Sequence, residues 1–156
     1  MNLLVPCTTR PPRPQEVSGK DYVFVSDDFI LTDPSIIEYR EYKTIRGVWY
    51  YATINNLIEG DNVIVACPQQ YLNIKRFYEH DDSVKVIPIY IYIDDGIRLQ
   101  RLISREMLAD NPNYYEICRR YEADMKDFAC MEGERKYLNY SLSECVAEIL
   151  RIIKGE

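Results

Sequence analysis

The 156-residue sequence lacks the residue patterns of disulfide frameworks, zinc sites and phosphate-binding loops. Its five cysteines are odd in number and scattered, with no C-x-x-C pair, so neither a disulfide framework nor a zinc site is predicted. Its six glycines do not form the G-x-x-x-x-G-K-S/T phosphate loop, which supplies a backbone N–H cradle and a lysine to a bound nucleotide. We therefore expect no metal site, and we do not expect this chain to bind ATP in the usual way.

Basic residues are outnumbered, and no hydrophobic run is long. Nineteen Lys and Arg against 25 Asp and Glu give a net charge of -6, which argues against a broad nucleic-acid or acidic-membrane surface. No run approaches the length of a membrane span, and the opening Met-Asn-Leu-Leu-Val-Pro is too short for a signal peptide. We expect one globular domain in a reducing cytoplasm, without nucleic-acid or membrane partners.

The first sixty residues alternate strand-like segments with turns. Ser26 followed by two aspartates predicts the N-cap of a short helix that runs through Leu31. A turn is expected around Arg46 and Gly47, and a helical turn over residues 55–60. Strands are predicted over residues 22–25, 37–42 and 48–53. These elements predict a small antiparallel lobe.

The rest of the chain alternates strands with helices. Residues 62–67 and 84–93 are apolar, β-branched runs of the kind that is buried on both faces of a parallel sheet. Helices are predicted over residues 68–80, 96–109, 113–129 and 141–154, and a short strand over residues 137–140. This alternation predicts an α/β fold with an open, largely parallel sheet.

The stretch from Cys7 to Tyr22 carries two arginines and two threonines among three prolines. Because proline restricts the backbone, Arg10 and Arg13 project from a stiff segment that loses little entropy when a ligand binds. Two guanidinium groups at this spacing can bind one phosphate or carboxylate bidentately. The alternative from the residues alone is a solvated loop whose arginines meet only water.

A second group of arginines lies in the predicted helices. Arg98, Arg101 and Arg105 are spaced by three and four residues, which places them on one side of a helix. Arg119 and Arg120 lie on the helix that follows. Taken alone, they fit a solvated face whose arginines pair with glutamates of the same helices.

The segment that begins at Cys7 resembles the guanylate kinase family. The family pattern is S-x-T-T-R-x-P-R-x-G-E-x-x-G-x-D-Y-x-F-V. This chain matches it at Cys7-Thr8-Thr9-Arg10-Pro11-Pro12-Arg13, then Glu16-Val17, Gly19, Asp21-Tyr22 and Phe24-Val25. In that family the loop and its lobe hold the phosphate and base of GMP. Pro6 departs from the family's phosphate-contacting serine, and Gln15 replaces a glycine.

The resemblance implies acceptor-binding roles in the small lobe, beginning with Arg10, Arg13 and Tyr22. Ile37-Glu38-Tyr39 resembles the family's I-E-x, which implies that Glu38 recognises the guanine edge. Tyr50-Tyr51-Ala52-Thr53 resembles Y-Y-G-S, which implies that Tyr51 holds phosphate and Thr53 holds the base. A solvated strand carboxylate for Glu38, and lobe packing for Tyr51, are the alternatives.

The resemblance also implies catalytic roles for three arginines. Arg101-Leu102-Ile103-Ser104-Arg105 resembles the family's R-L-x-x-R, and Arg119-Arg120-Tyr121 resembles R-R-L. Arg101, Arg105 and Arg120 would then clamp the transferring phosphates, where fixed cations lower the barrier to phosphoryl transfer. ATP and Mg²⁺ are the family's cofactors, and GMP or another nucleoside monophosphate is the acceptor.

The fold that the resemblance implies is of the P-loop nucleoside monophosphate kinase type. It is a parallel sheet with helices on both faces and a small antiparallel lobe that binds the acceptor. We expect a single domain over residues 1–156, with the lobe at about 10–60, the core at about 61–156 and a lid around 104–118. The family's first strand, phosphate loop and first helix are absent, since Met1 lies nine residues before Arg10.

Two departures from the family pattern have consequences. Where the family reads I-L-D-I-D-x-Q-G, this chain reads Val-Ile-Val-Ala-Cys-Pro-Gln-Gln over residues 63–70, so both aspartates are replaced and a glutamine, Gln70, remains. The acceptor base is therefore left open. The missing central strand would leave buried backbone groups unpaired, at about 1–3 kcal/mol each. We expect residues 1–5 to fill the gap, another chain to supply a strand, or the strands to rearrange with dimerisation.

Three functions remain open from the sequence. The first is a phosphotransferase lineage in which this chain binds GMP without turnover. The second is a non-catalytic binding module for a nucleotide or a phosphorylated peptide. The third is a fragment of a longer coding sequence.

Overall fold

The computed structural model describes residues 1–44 and 47–154. The chain divides into two compact units, Met1–Val86 and Ile87–Glu156. The predicted turn around Arg46 and Gly47 includes Arg46, which lies outside the described residues.

The first unit contains six strands and two helices among the described residues: β1 (Asn2–Leu3), β2 (Cys7–Thr8), β3 (Val23–Phe24), α1 (Asp27–Thr32), β4 (Ile36–Thr44), β5 (Gly47–Ile54), β6 (Asn62–Val63) and α2 (Pro68–Phe77). The second unit contains β7 (Tyr90–Tyr92), α3 (Asp95–Glu106), α4 (Tyr114–Phe128), a 3₁₀ turn (Ala129–Met131), β8 (Lys136–Leu138) and α5 (Leu142–Lys154).

Four strands of the first unit form one mixed sheet in the order β3-β2-β5-β4. The long hairpin of β4 and β5 is antiparallel, as predicted, and β2 joins β5 antiparallel with Thr8 opposite Tyr51. The prediction of a wholly antiparallel lobe is wrong at the remaining pair, because β2 and β3 run parallel. The long loop between them returns the chain to the same end of the sheet before β3 begins.

The core of this sheet lies on one of its faces. Cys7, Ile30 and Ala52 are almost fully buried there, and α1 supplies Ile30. The predicted cap of α1 is confirmed, since Ser26 Oγ accepts a hydrogen bond from the backbone N–H of Phe29 at 3.3 Å. The side chains of a strand alternate between its faces, so Ala52 packs into the core while its neighbours on β5 point away from it.

A pair of parallel strands, β1 and β6, lies outside that sheet. Asn2 is opposite Asn62, and β6 is the one strand partner that β1 has among residues 1–44 and 47–154. Among the described residues β1 therefore lies at the edge of a two-stranded pair and not between two strands, so the structure does not show residues 1–5 filling the expected gap. After β6, Pro68 occupies the first turn of α2, which buries Tyr71 and Ile74.

The predicted helical turn over residues 55–60 is wrong. Residues 55–58 have no regular structure and residues 59–60 form a bend. The side chain of Asn62 explains the difference, because its Nδ2 donates to the carbonyls of Ile58 and Gly60 at 2.7 and 2.9 Å. Such side-chain bonds satisfy the backbone locally and compete with helix formation.

The predicted burial of residues 62–67 and 84–93 on both faces is also wrong. Val65 is 84% exposed, and Ile87 and Ile91 are 54% and 53% exposed. The regular parts of these runs, β6 and β7, are two and three residues long and belong to two-stranded pairs. A sheet of two short strands has no continuous cover on its faces, so apolar side chains remain in contact with solvent.

The second unit combines one parallel strand pair with three helices among its described residues. In the pair of β7 and β8, Tyr90 lies opposite Lys136. Asp94 caps α3 by accepting from the backbone N–H of Gly96 at 2.9 Å, and Asn113 caps α4 by accepting from that of Glu116 at 3.0 Å. The predicted helices of this unit are therefore confirmed, with ends within a few residues of those expected.

The core of the first unit provides a test of packing. We expect Ile30→Ala to lower the free energy of unfolding by about 2–5 kcal/mol, because the removed atoms leave a cavity beside Cys7 and Ala52. Leu31→Ala is the matched control, since Leu31 lies on the same helix and is 51% exposed. Urea denaturation measures both variants. Equal losses for the two would contradict this assignment of the core.

Candidate functional site

The loop that carries Arg10 and Arg13 is hydrogen-bonded to β5 through Thr8 and Thr9. Thr8 Oγ1 donates to the carbonyl of Tyr50 at 2.8 Å, and Thr9 Oγ1 accepts from the backbone N–H of the same residue at 3.0 Å. The backbone N–H of Thr9 donates to the Tyr50 carbonyl at 3.0 Å. These bonds fix the start of the loop, so the side chain of Arg10 projects from a defined point beside the sheet.

Arg10 lies at the centre of a cluster formed by Arg10, Arg13, Glu16, Tyr22 and Tyr51, here called the Arg10 cluster. Its Nη1 and Nη2 each donate to one oxygen of Glu16 at 2.8 Å, and its Nε donates to the Tyr51 hydroxyl at 3.1 Å. Its guanidinium carbon lies 5.4 Å from the centre of the Tyr22 ring. The structure thus brings together Arg10, Tyr22 and Tyr51, which were predicted from separate motifs.

Arg10 and Glu16 each favour the ionised form of the other. Hydrogen bonding to Glu16 raises the pKa of Arg10, and the Arg10 guanidinium together with the backbone N–H of Arg13 lowers the pKa of Glu16 to about 2. Glu16 is therefore ionised at neutral pH. It was not predicted as a site residue, although it stands within the motif three residues after Arg13.

Arg13 is the cation of the cluster that remains open to solvent. Its side chain is 71% exposed, and its Nη1 lies 3.9 Å from Glu16 Oε1, beyond hydrogen-bond distance. Arg10, whose side chain is 12% exposed, has three of its terminal N–H groups bonded to Glu16 and Pro11. An anion that approaches from solvent would therefore contact the guanidinium of Arg13 first, because little of the Arg10 side chain is exposed.

The predicted base-recognition residues lie in a second cluster, a closed ring of Glu38, Thr53, Gln70 and Arg40, here called the Glu38 ring. Thr53 Oγ1 donates to Glu38 Oε1 at 2.8 Å, and Gln70 Nε2 donates to Thr53 Oγ1 at 2.7 Å. Arg40 Nη2 donates to Gln70 Oε1 at 3.2 Å, and Arg40 Nε faces Glu38 Oε2 at 3.7 Å. Arg40 Nη1 also donates to Cys67 Sγ at 2.8 Å.

Three of the four residues in the Glu38 ring are deeply buried, and the side chain of the fourth, Arg40, is 24% exposed. Thr53, Gln70 and Glu38 are 2%, 3% and 7% exposed. Glu38 Oε2 and Arg40 Nε have no hydrogen-bond partner among the described residues. A solvated strand carboxylate is therefore not the environment of Glu38. Arg40 was not predicted as a site residue, because the sequence does not show that it lies beside Glu38 on one face of β4.

The register of the hairpin explains why both clusters lie on the same face of the sheet. Glu38 is paired with Thr53, and Arg40 with Tyr51, across β4 and β5. Residues two apart on a strand project from the same face, so these four side chains share one face while Ala52 enters the core on the other.

The second unit contains a cavity of about 210 Å³ lined by Ile93, Arg98, Arg101, Leu102 and Arg105. Arg101 and Arg105 make no ion pair with a described residue, and Arg101 Nη2 donates to the carbonyl of Tyr140 at 3.3 Å. Arg98 pairs with Asp95 at 3.1 Å and lies 4.6 Å from the ring centre of Tyr121. Two of the predicted catalytic arginines thus line one basic cavity.

Arg120 lies elsewhere in the second unit, on α4. Its Nε donates to Glu116 Oε1 at 2.8 Å, and the neighbouring Arg119 binds the same carboxylate. The two guanidinium groups lower the pKa of Glu116 to about 2. This is the pairing within one helix that the sequence offered as an alternative, and a catalytic role for Arg120 stays a prediction.

A family model for guanylate kinase matches residues 1–156. The chain belongs to the guanylate kinase family. A guanylate kinase of Mycoplasma mobile is 28% identical over 161 residues, which cover 96% of this chain and 76% of that protein. A guanylate kinase of Thermotoga maritima is 32% identical over 90 residues, which cover 54% of this chain and 43% of that protein. The Thermotoga alignment thus spans less than half of its relative.

A solved structure confirms the α/β fold. The crystal structure of guanylate kinase from Anaplasma phagocytophilum superposes with a TM-score of 0.66 at 18% sequence identity, over 98% of this chain and 74% of that one. The guanylate kinase resemblance seen in the sequence is therefore confirmed at the level of family and of fold.

A magnesium ion needs oxygen ligands. No group of three or more His, Cys, Asp or Glu side chains in residues 1–44 and 47–154 is placed to hold a metal ion. Carboxylates are the side chains that Mg²⁺ prefers, and Val65 and Cys67 stand where the family pattern has aspartates. At these two positions the chain therefore supplies no carboxylate oxygen, so Val65 and Cys67 do not fit the family's metal. Across the same part of the chain, no helix is both long and apolar enough to span a membrane.

The Arg10–Glu16 pair provides a pH test. The pKa of Glu16 falls from 4.5 to about 2 on folding, so its stabilising effect is complete above pH 4.5 and is lost as pH falls towards 2. We expect the urea midpoint of the unmodified protein to fall as the pH is lowered over this range. The midpoint of Glu16→Gln should fall by less. Glu79→Gln removes an exposed carboxylate of the same unit and serves as the control. A Glu16→Gln profile parallel to the unmodified protein would contradict the assignment.

Proposed function

We propose that this chain binds a purine nucleoside monophosphate such as GMP in its first unit. The observation that carries the proposal is the Arg10 cluster, in which a guanidinium is held in place by Glu16 and Tyr51 beside a second, exposed guanidinium. Membership of the guanylate kinase family supports the same ligand.

The phosphate would be bound by Arg13, Arg10, Tyr22 and Tyr51. Arg13 is free to contact two phosphate oxygens with its planar donor fork. Glu16 keeps Arg10 fixed and charged, so little side-chain entropy is lost when the anion arrives. The Tyr51 hydroxyl accepts from Arg10 Nε, which leaves its own proton directed elsewhere and available to a phosphate oxygen.

The base would lie against the Glu38 ring. Tyr51 and Thr53 are two residues apart on β5, so a ligand held by its phosphate at Tyr51 can extend along the same face towards Thr53 and Glu38. The family resemblance implies that Glu38 and Thr53 contact the base. Glu38 and Thr53 are both buried and share a hydrogen bond of 2.8 Å, which supports a fixed recognition surface rather than a flexible one.

We propose that these 156 residues bind the acceptor without phosphorylating it. The family reaction is ATP-dependent phosphorylation of GMP to GDP, and Arg101, Arg105 and Arg120 are its proposed phosphate clamps here. Catalysis of this kind depends on positioned phosphate and metal contacts. The sequence has no G-x-x-x-x-G-K-S/T loop, and the residues at the metal positions do not fit Mg²⁺.

A phosphorylated peptide is the second candidate ligand of the Arg10 cluster. The exposed guanidinium of Arg13 favours it, because a phosphate carried by a larger molecule can reach that side chain without entering a closed pocket. In this case the protein would be a binding module of the family rather than an enzyme.

Calorimetric titration with GMP, ATP and a phosphoserine peptide tests the proposal. We expect GMP to bind and Arg13→Ala to weaken binding at least tenfold, because a charged hydrogen-bonding partner of the phosphate is lost. Tyr51→Phe should weaken it about two- to tenfold. Lys20→Ala, in the same loop and exposed, is the control that should leave binding unchanged.

The outcomes separate the candidates. Peptide binding without GMP binding would favour the binding module. ATP-dependent phosphorylation of GMP by these 156 residues would contradict the proposed lack of turnover. Binding of GMP that is unaffected by Arg13→Ala and Tyr51→Phe would contradict the proposed phosphate site.

We also propose a domain arrangement and a cellular setting. Residues 1–156 would act as one domain with the acceptor lobe at about 10–60, the core at about 61–156 and the lid around 104–118. The five cysteines are unpaired, which favours a reducing cytoplasm.

Self-association through strand edges is a further expectation. Among the described residues, β6 and β7 each have a strand partner on one edge, and Val65 beside β6 is 84% exposed. An unpaired edge favours pairing with another chain. We expect light scattering after size exclusion to give twice the monomer mass of 18.4 kDa, and Val65→Lys to shift the protein towards monomer. A concentration-independent monomer would contradict this expectation.

A further inference from the structure

Arg40 lies beside the carboxylate of Glu38, the residue that is proposed to recognise the base. Its Nε faces Glu38 Oε2 at 3.7 Å, while Glu38 Oε1 already accepts from Thr53 at 2.8 Å. Both carboxylate oxygens therefore face a donor of this chain. The side chain of Glu38 is 4% exposed and that of Arg40 is 24% exposed, so Arg40 is the more accessible of the two.

We infer that Arg40 is a specificity-determining residue that competes with the base for Glu38. The consequence is weak discrimination between guanine and a purine that lacks the 2-amino group. This inference rests on the proposed function, because it concerns the base of the nucleotide that the Arg10 cluster would hold.

The chemistry of guanine explains why competition matters. Guanine presents two neighbouring donors, N1–H and the 2-amino group, and a free carboxylate can accept both with its two oxygens. In Glu38, Oε1 already accepts from Thr53, and Arg40 lies beside Oε2, the oxygen without a hydrogen-bond partner. Arg40 is also bonded to Cys67 at 2.8 Å and to Gln70 at 3.2 Å, so its displacement breaks two further hydrogen bonds.

The group that remains accessible recognises a different part of the base. A guanidinium has donors and no acceptor, so Arg40 can bond the O6 carbonyl or N7 of a purine but cannot accept from the 2-amino group. Guanine and hypoxanthine share O6 and N7. A site in which Arg40 forms the hydrogen bonds to the base therefore binds both guanine and hypoxanthine. A site in which a free Glu38 forms them would prefer guanine.

Among the described residues, the positive charge of Arg40 has no carboxylate partner other than Glu38. Its contact with Glu38 is its one salt bridge among residues 1–44 and 47–154. The separation of 3.7 Å is too long for a hydrogen bond, so the pair neutralises charge without satisfying either atom. Removal of Arg40 would leave a buried carboxylate that gains a hydrogen bond when a 2-amino group arrives.

The test is the ratio of the dissociation constants of IMP and GMP, measured by calorimetry. We expect the unmodified protein to bind the two within about threefold. Arg40→Ala should raise the preference for GMP to about tenfold or more, since Glu38 then forms a charged hydrogen bond that IMP cannot form. Arg40→Lys keeps a cation beside Glu38 and should stay near the ratio of the unmodified protein.

Two further variants keep the test decisive. Lys43→Ala removes a cation on the same strand whose side chain is 82% exposed, and it should leave the ratio unchanged. Arg40→Gln removes the charge but keeps hydrogen-bonding capacity, and it replaces Arg40→Ala if that variant does not fold. Retained thermal unfolding of each variant is confirmed before titration.

The inference is overturned if the unmodified protein already prefers GMP by more than tenfold, or if the ratio is the same with and without the Arg40 charge. Binding of neither nucleotide would overturn the proposed function, and this inference with it. An altered ratio in Arg40→Ala together with intact phosphate dependence on Arg13 would support both.

Discussion

The pairing of β4 with β5 is the constraint on which both the core and the candidate site of the first unit depend. Alternate residues of β5 enter opposite faces, so Ala52 packs with Cys7 and Ile30 while Tyr51 and Thr53 join the two polar clusters. A register shift of one residue would exchange these sets and bury the polar side chains in the apolar core. The same pairing that stabilises the lobe therefore also positions the side chains of its candidate site.

Two arginine–glutamate pairs on this lobe behave differently because their geometry differs. Arg10 and Glu16 form a bidentate pair at 2.8 Å, which holds the guanidinium of Arg10 in one orientation. Arg40 and Glu38 face each other at 3.7 Å inside a buried ring, where the cation screens a carboxylate. The proposed phosphate site depends on the first pair, and the proposed competition for the base depends on the second. The first pair follows from the loop after β2, which carries Arg10 and Glu16, and the second from the face of β4 that Glu38 and Arg40 share.

Sequence reasoning predicted most of what depends on local pattern. The Ser26 cap, the helices of the second unit and the long hairpin follow from residues near one another in the chain. The helical turn predicted over residues 55–60 does not form, because one side chain, that of Asn62, satisfies this backbone in place of helical hydrogen bonds. The exposure of Val65 was missed because an apolar run does not reveal how many strands will cover it.

The candidate site was predicted in part for the same reason. The motifs identified Arg10, Tyr22 and Tyr51, and the fold brings them together. Glu16 and Arg40 were not identified as site residues, since their importance depends on contacts that only the folded loop and the strand register create. For Arg101 and Arg105 the structure gives a shared cavity, while Arg120 is paired with Glu116 and its role stays a prediction.

The most direct test of the account is the position of a bound nucleotide on the first unit. In a titration of ¹⁵N-labelled protein with GMP, the account predicts saturable shifts of the Arg10 Nε–H signal and of the backbone amides of Tyr51 and Thr53, with one common dissociation constant. Shifts that saturate only at Arg119 and Arg120, or no saturable shift in the first unit, would contradict it.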